Sequence, residues 1–221
     1  MNGDKQHEQE AQFLTTEHFV LQTARTGTIQ EAVGRANVFV ASVSSVAVAL
    51  GFVAQVTQIG EAFLVFALII LPSLYFIGIV SFVRSVQVAI EDMVHARGMA
   101  RIRHYFVERS PGVRPYLMHS PHDDYRGALD SLGLRLTGFQ SFMTTAGIVN
   151  VISSVIAGVF IALAIKAAIS LPGWAFTLGG IIGFFASVSI CRQYQVRAWT
   201  EAEQNLAVRF PSERGGDGGN L

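Results

Sequence analysis

The sequence predicts an all-α, polytopic membrane protein with four transmembrane helices, arranged as two hairpins with cytoplasmic helical extensions. Three observations support this prediction. Of the 221 residues, 51% are hydrophobic and only 14% are charged, whereas a typical soluble domain has about 25% charged residues. Four runs free of charged residues are long enough to cross a bilayer, which takes about 20 helical residues. Finally, almost all lysines and arginines lie outside the two hairpins.

The four apolar runs follow one another in two pairs. We predict spans at Ala36–Gly60, Ala62–Val83, Leu136–Ile165 and Ala167–Cys191. Gly60 separates the first pair, and Pro172 with Gly173 separates the second, since these residue types interrupt helices. Burying four such runs as soluble core helices would require a far larger core than a chain of this length can form.

The spans divide the chain into five segments. These are a cytoplasmic amphipathic helical segment (1–35), a first hairpin (36–83), a cytoplasmic helical segment (84–135), a second hairpin (136–191) and a juxtamembrane helix with a disordered tail (192–221). Lysine and arginine concentrate on the cytoplasmic side of membrane proteins. Fifteen of the sixteen lie outside the hairpin turns, and only Lys166 belongs to one. We therefore expect a multi-pass protein of the cell membrane with both termini in the cytoplasm.

Three spans carry small residues four positions apart, which lets helix backbones approach closely within a membrane. These faces consist of Ala41, Ser45 and Ala49 in the first span, Ser154, Gly158 and Ala162 in the third, and Gly179, Gly183 and Ser187 in the fourth. They favour packing within one four-helix bundle, with a dimer interface as the alternative. Pro72 removes a backbone hydrogen bond from the second span, so we expect a kink there. Asn150 is expected to form a hydrogen bond between helices.

The spans contain no Asp, Glu, Lys, Arg or His. This argues against a proton-coupled transporter, because proton relays use such groups at membrane depth. The absence of these residues does not exclude a pore that is lined by hydroxyl groups in an oligomer. The chain also has no Gly-rich phosphate loop, no GxSxG or HExxH motif and no pair of cysteines. Its net charge of zero provides no field that would attract nucleic acid.

The stretch HSPHDD, residues 119–124, is the most chemistry-like part of the sequence. A metal site needs three or four converging ligands, and the candidates here are His119, His122 and Asp124. The alternative is a polar turn in which Asp123 or Asp124 caps the following helix. The sequence supplies no second cluster of ligands, so capping is favoured and we expect no cofactor. A combined substitution should then leave folding largely intact; it would replace His119, His122, Asp123 and Asp124.

Two cytoplasmic helices are predicted before the first span. Thr15 or Thr16 is expected to cap the first, and Gly27 to end it. Thr28 and Glu31 then form a capping-box pattern that begins the second. Whether the amphipathic N-terminal helix packs on protein or lies on lipid is left open by the sequence.

Beyond the second span, the helix should continue to Glu108, because the intervening stretch contains no proline. One narrow apolar stripe along it suits packing against another helix, such as the N-terminal one. Four arginines near its end are candidates for contact with lipid head groups: Arg97, Arg101, Arg103 and Arg109. They do not share one helix face, so a solvated helix is the alternative.

The motifs EAVGRANVFVASVSSVAVALGF, ARIRHYFVERSPGVRPYL and PHDD resemble those of a group of uncharacterised bacterial integral membrane proteins with two transmembrane hairpins. The resemblance covers about residues 16–200. It implies a location in the bacterial inner membrane, and it implies no activity.

These observations favour a non-enzymatic integral membrane protein that acts through helix packing and cytoplasmic contacts, as a scaffold, a sensor or a membrane effector. One alternative is an oligomeric channel or transporter. Another is a membrane-bound metal-dependent hydrolase that uses the 119–124 turn. The expected partner is the lipid bilayer, with a second copy of the chain or a cytoplasmic protein as further candidates, and no nucleic acid.

Overall fold

The computed structural model describes residues 2–132, 143–169 and 172–212, and these residues contain helices and turns but no strand. The elements in chain order are α1 (Asn2–Thr57), α2 (Glu61–Arg109), a 3-10 helix (Pro111–Tyr116), α3 (Tyr125–Leu132), α4 (Thr145–Ala168) and α5 (Gly173–Asn205). Helices α1, α2, α4 and α5 are long and apolar enough to cross a membrane. The predicted all-α polytopic fold is therefore confirmed, and the chain is a multi-pass membrane protein.

Helix α1 is uninterrupted, so the predicted break at Gly27 is wrong. The hydroxyls of Thr15 and Thr16 donate to backbone carbonyls four residues earlier, as they do inside a helix, and do not cap one. Thr28 similarly donates to a carbonyl three residues earlier, at 2.7 Å. A glycine costs only about 1 kcal/mol in a helix interior, and the packing of α1 on its neighbours outweighs that cost.

The turn between α1 and α2 comprises residues 58–60. Gln58 and Ile59 adopt left-handed conformations, with φ of 51° and 57°. These two residues, and not Gly60, end the helix. The left-handed region costs a residue other than glycine about 1–2 kcal/mol, and the β-branched side chain of Ile59 makes it the more strained of the two.

The second hairpin has well-defined helix ends. The Thr144 side chain caps α4 by accepting a hydrogen bond from the backbone N–H of Gly147 at 3.1 Å. Helix α5 begins at Gly173, directly after Pro172, where the sequence predicts a turn. Outside the described residues lie the predicted start of the third span at Leu136, the hairpin residues Ser170 and Leu171, and the tail from residue 213 onward.

The described residues form two compact units. The one called here the polar unit comprises the described residues of Met1–Gln30, Val88–Thr137 and Glu201–Leu221. The other, called here the membrane unit, comprises those of Glu31–Gln87 and Gly138–Thr200 and contains most of the apolar runs. The sequence-based division into five segments follows the membrane boundaries, whereas these two units follow spatial proximity.

Helices α4 and α5 meet through glycines in the membrane unit. A Cβ atom on Gly158 would lie 2.8 Å from the carbonyl oxygen of Gly180, and one on Gly180 would lie 2.9 Å from the carbonyl oxygen of Gly158. Gly179 and Gly183 flank this contact and face isoleucine side chains of α4. Only glycine permits backbones to approach this closely.

The small-residue face of the first span has different surroundings. Ala41 and Ser45 are exposed and Ala49 is only half-buried. In the most apolar 18-residue window of α1 only 6% of residues are buried, against 39% in α4. The face that the first span offers for close packing is therefore largely unused inside a single chain.

A second close contact in the membrane unit joins α1, α2 and α4. A Cβ atom on Gly78 would lie 2.3 Å from Oγ of Ser153 and 3.0 Å from the ring of Phe39, and both of these side chains are fully buried. Helix α2 is continuous through Pro72. The kink expected at this residue stays a prediction.

In the polar unit, the N-terminal part of α1 packs on the cytoplasmic extension predicted for α2. Leu21 lies against Gly98, at 3.0 Å from the position of a Cβ atom. Nearby, Nε of Arg25 donates to the carboxylate of Asp92 at 2.8 Å. The buried residues of α2 here include Met93, Ala96 and Ala100 from the predicted apolar stripe. One side of the N-terminal helix therefore lies on protein.

Candidate functional site

Asp123 lies at the centre of a hydrogen-bond network in the polar unit. Its side chain is 0% exposed. The carboxylate accepts hydrogen bonds from Nε of Arg101 at 2.6 Å, from the backbone N–H of Phe210 at 2.7 Å and from that of Arg209 at 3.1 Å. Two consecutive N–H groups and a guanidinium thus surround the buried charge, an arrangement that stabilises an anion strongly.

These donors keep Asp123 ionised. Burial raises the pKa of the Asp123 carboxyl, but the hydrogen bonds from Phe210, Arg101 and Arg209 together lower it further than burial raises it. The pKa therefore lies below its ordinary range. A carboxylate whose oxygens already accept several hydrogen bonds has little capacity left for a metal ion or for a proton in catalysis.

Asp124 caps helix α3, as the capping interpretation requires. Its Oδ1 accepts a hydrogen bond from the backbone N–H of Gly127 at 2.8 Å. Its Oδ2 accepts from the backbone N–H of Ser212 at 3.1 Å and also from the Ser212 hydroxyl. Gly127 is needed here, since a Cβ atom would lie 2.1 Å from the carbonyl oxygen of His122.

The two aspartates bind a segment that no sequence pattern connects with them. Residues 206–212, called here the strap, follow α5 and run past Asp123 and Asp124. The carbonyl oxygen of Ala207 accepts a hydrogen bond from Arg101 at 2.5 Å, and the N–H of Asp123 donates to the carbonyl of Phe210 at 3.2 Å. The expectation that these aspartates can be replaced without harm to folding is therefore not supported.

The histidines of the HSPHDD stretch do not converge on a metal site with Asp124. His119 is exposed, whereas His122 packs near His104, with ring centroids 6.4 Å apart. His104 in turn stacks on Phe210 of the strap, with centroids 3.9 Å apart. Within the described part of the chain, no three His, Cys, Asp or Glu residues are grouped so that they could hold a metal ion.

The four candidate head-group arginines all have protein partners. Arg97 is 2% exposed and pairs with Glu203, and its Nε and one terminal nitrogen are buried without a partner among the described residues. Arg103 is 9% exposed and donates to a backbone carbonyl at 3.3 Å. Burial argues against head-group contact for these two. For Arg101 and Arg109, which lie nearer the surface, it stays a prediction.

A second polar cluster lies in the membrane unit and contains no charge. The Ser154 hydroxyl lies 3.2 Å from Oδ1 of Asn150 and 3.0 Å from Oγ of Ser187, so it can donate to one of them and accept from the Ser187 hydroxyl. The hydroxyl of Tyr75 lies 3.2 Å from the same Ser187 oxygen. The cluster thereby links α2, α4 and α5. Asn150 bonds within its own helix, and Ser154 carries the connection to the neighbouring one.

Both clusters use their polar groups to bind other parts of the same chain. Uncharged hydroxyls can form hydrogen bonds between helices, but they provide no ionised group at neutral pH. The geometry therefore assigns both clusters a structural role.

No protein-family model matches this chain, and no curated protein and no solved structure matches it either.

Proposed function

We propose that this chain is a non-enzymatic protein of the bacterial inner membrane that acts through contacts of its polar unit, as a scaffold, a sensor or a membrane effector. The Asp123 network carries this proposal. The residues best suited to chemistry, Asp123 and Asp124, are engaged by backbone and side-chain donors of the same chain. A hydrolase that used the 119–124 turn would need these carboxylates free.

We further propose that the polar unit and both termini lie in the cytoplasm. Fifteen of the sixteen lysines and arginines support this orientation. Reporter fusions test this orientation. A reporter fused after Ile59 or Ile169 should lie outside the cytoplasm, and a reporter fused after Ser212 should lie inside it. The reverse pattern would overturn the orientation while leaving the four spans intact.

Site-specific photo-crosslinking in living cells tests the mode of action. A crosslinking amino acid at exposed positions of the polar unit, such as Phe13 or Arg126, should give discrete protein adducts. The same amino acid at Val48, an exposed residue of the first span, serves as the matched position for lipid contact. Absence of adducts from every polar-unit position would contradict the proposal. Stoichiometric zinc or manganese in the purified chain would also contradict it.

An oligomeric channel or transporter is the second candidate. The exposed small-residue face of the first span favours it, because a second copy of the chain could pack on that face. Adducts between two copies of the chain at Val48, together with ion flux in proteoliposomes, would support this alternative. A correctly folded oligomer that conducts no ions would count against it.

A further inference from the structure

We propose that the polar unit binds a small amphiphilic anion, a phosphate or carboxylate on an apolar body, in a cavity beside Arg103. The cavity has a volume of about 630 Å³, is open to solvent on one side and is lined by α1, α2 and residues 116–119. Sites for small organic ligands generally measure about 300–1,000 Å³. The chemistry of its lining identifies the class of ligand.

Arg103 provides a buried charge without a counter-ion. Its guanidinium is 9% exposed and donates to the carbonyl oxygen of Ser120 at 3.3 Å. Among the described residues, no carboxylate lies within ion-pair distance of it. Buried arginines are normally paired with an acid, because an isolated buried charge is costly. A bound anion would supply the missing partner.

The other charged groups of the lining do not remove this excess. Arg25 also lines the cavity, but Asp92 neutralises it at 2.8 Å. Burial lowers the pKa of Arg103, and the nearby charge of Arg25 lowers it further. Both effects are those expected of a guanidinium that no acid stabilises. None of the aspartates and glutamates that the structure describes lines the cavity, so its polar side favours an anion.

Two histidines extend the polar side of the cavity. His18 and His119 both line it, and their rings offer further hydrogen-bond donors to a phosphate or carboxylate. Burial lowers the pKa of His18, and the charge of Arg103 lowers it further. His18 is therefore neutral near pH 7 and acts as a hydrogen-bonding group.

The rest of the lining is apolar and calls for an apolar part of the ligand. Met99 and Ile102 form buried surface, at 6% and 5% exposed. Phe19, Ile29 and Met118 line the same cavity with side chains that are at least half exposed. A ligand that covered these three side chains would remove apolar surface from water, which stabilises its binding by about 25 cal/mol per Å². An inorganic anion would leave them uncovered.

The cavity and all of its lining residues lie within the polar unit. A ligand therefore binds there whether the membrane unit serves as an anchor or as a pore.

Calorimetric titration of the full chain in phosphatidylcholine nanodiscs tests the proposal, with empty nanodiscs as the blank. The probes are dodecyl phosphate, phenyl phosphate and inorganic phosphate. We expect saturable binding of dodecyl phosphate or phenyl phosphate. Inorganic phosphate should bind at least about tenfold more weakly. Preference for the dodecyl ester indicates a lipid-derived ligand, and preference for the phenyl ester a soluble aromatic one. Absence of saturable binding by both esters overturns the proposal.

Two variants locate the site. Arg103→Gln should weaken binding of the preferred ester by about tenfold, the usual effect of losing a charged hydrogen bond. Arg126→Gln, which removes an exposed arginine outside the cavity, should leave binding unchanged. Because Arg103 is buried, Phe19→Ala provides a test on an exposed side chain, with Phe13→Ala on the same helix as its control. Phe19→Ala should weaken binding of the ester several-fold, and equal affinity in Phe19→Ala and Phe13→Ala overturns the proposal.

Discussion

The polar unit and the membrane unit are stabilised by different interactions. The polar unit buries Asp123 and Arg97 beside partners of opposite charge. The membrane unit buries glycines in backbone contact and a cluster of hydroxyls around Ser154. A charge at the centre of a bilayer costs about 2.5–3.5 kcal/mol or more, so close packing and uncharged hydrogen bonds replace ion pairs within the spans. The ion pair between Glu31 and Arg84 in the membrane unit lies outside the predicted spans. Removing a partner should therefore damage the polar unit most, and adding a methyl group should damage the membrane unit most.

The largest effect is expected from Asp123→Asn. The amide has nearly the same shape, but it removes the charge and turns an NH₂ group toward donors such as the N–H of Phe210. Breaking a buried ion pair by changing one member costs about 3–5 kcal/mol. Hydrogen-exchange mass spectrometry should show faster exchange in the strap and in α3, with unchanged exchange in α4.

The control for this prediction is Asp130→Asn, which alters an exposed aspartate of α3. It should leave exchange at the wild-type rate throughout. Equal protection of the strap in the wild-type chain and in Asp123→Asn would show that the buried carboxylate contributes nothing, and the contrast between the two units would then fail.

The next largest effect is expected from Gly158→Ala in the membrane unit. The new methyl group meets the carbonyl oxygen of Gly180 at 2.8 Å, and backbone cannot move aside as a side chain can. Overpacking of this kind costs about 1–3 kcal/mol, and the contact with backbone favours the upper end. Unfolding in mixed micelles with increasing sodium dodecyl sulfate should begin at a lower detergent fraction. Gly179→Ala meets only the flexible end of Ile165 and should be milder.

Gly78→Ala sharpens the comparison because its cost has an identified source. The methyl group would lie 2.3 Å from Oγ of Ser153, a buried hydroxyl without a hydrogen-bond partner among the described residues. We expect a loss of about 1–3 kcal/mol. Adding Ser153→Ala should recover most of it, since the hydroxyl that causes the clash is removed. Unfolding of both single variants and the double variant, compared as a cycle, measures this coupling; purely additive effects would contradict it.

A pH titration that compares the wild-type chain with Asp123→Asn isolates the contribution of this carboxylate. Since the pKa of Asp123 is lower in the folded chain than its unfolded value of about 3.9, its contribution to stability is fully present above that unfolded value. The contribution is lost as the pH falls through the folded pKa. The contribution of Asp123 to the melting temperature should therefore stay level from about pH 7 to pH 5 and fall below about pH 4. The difference between the wild-type chain and Asp123→Asn should shrink over the same range, and a constant difference would contradict the linkage.

The sequence predicts the membrane unit better than the polar unit, for a physical reason. Crossing a bilayer imposes a long apolar run on each span, and that signal is local in the chain. The ends of a span are less well determined, because a single residue such as Gly60 or Gly27 changes helix stability by only about 1 kcal/mol. Tertiary contacts override a preference of that size, as the unbroken course of α1 demonstrates.

The contacts of Asp123 could not be predicted in the same way. Its partners in the strap are 86 and 87 residues away in sequence, and no periodic pattern connects them. Two of its donors are backbone N–H groups, which every residue but proline possesses. The sequence pattern also missed Gly180. A spacing of four residues selects Gly179 and Gly183, whereas the backbone contact with Gly158 is made by Gly180, the residue after Gly179.

The smallest predicted effect tests the contrast most directly, because it weakens the buried polar cluster of the membrane unit as Asp123→Asn weakens that of the polar unit. Ser154→Ala removes one hydroxyl from a buried hydrogen-bonded group, whereas Asp123→Asn removes a buried charge. Hydrogen bonds between membrane helices contribute about 0.6 kcal/mol on average, so its unfolding in mixed micelles should shift only slightly from that of Ser45→Ala, an exposed hydroxyl on α1. If Ser154→Ala were as destabilising as Asp123→Asn, uncharged polar contacts would rival buried charges, and the two units would not differ in the way proposed.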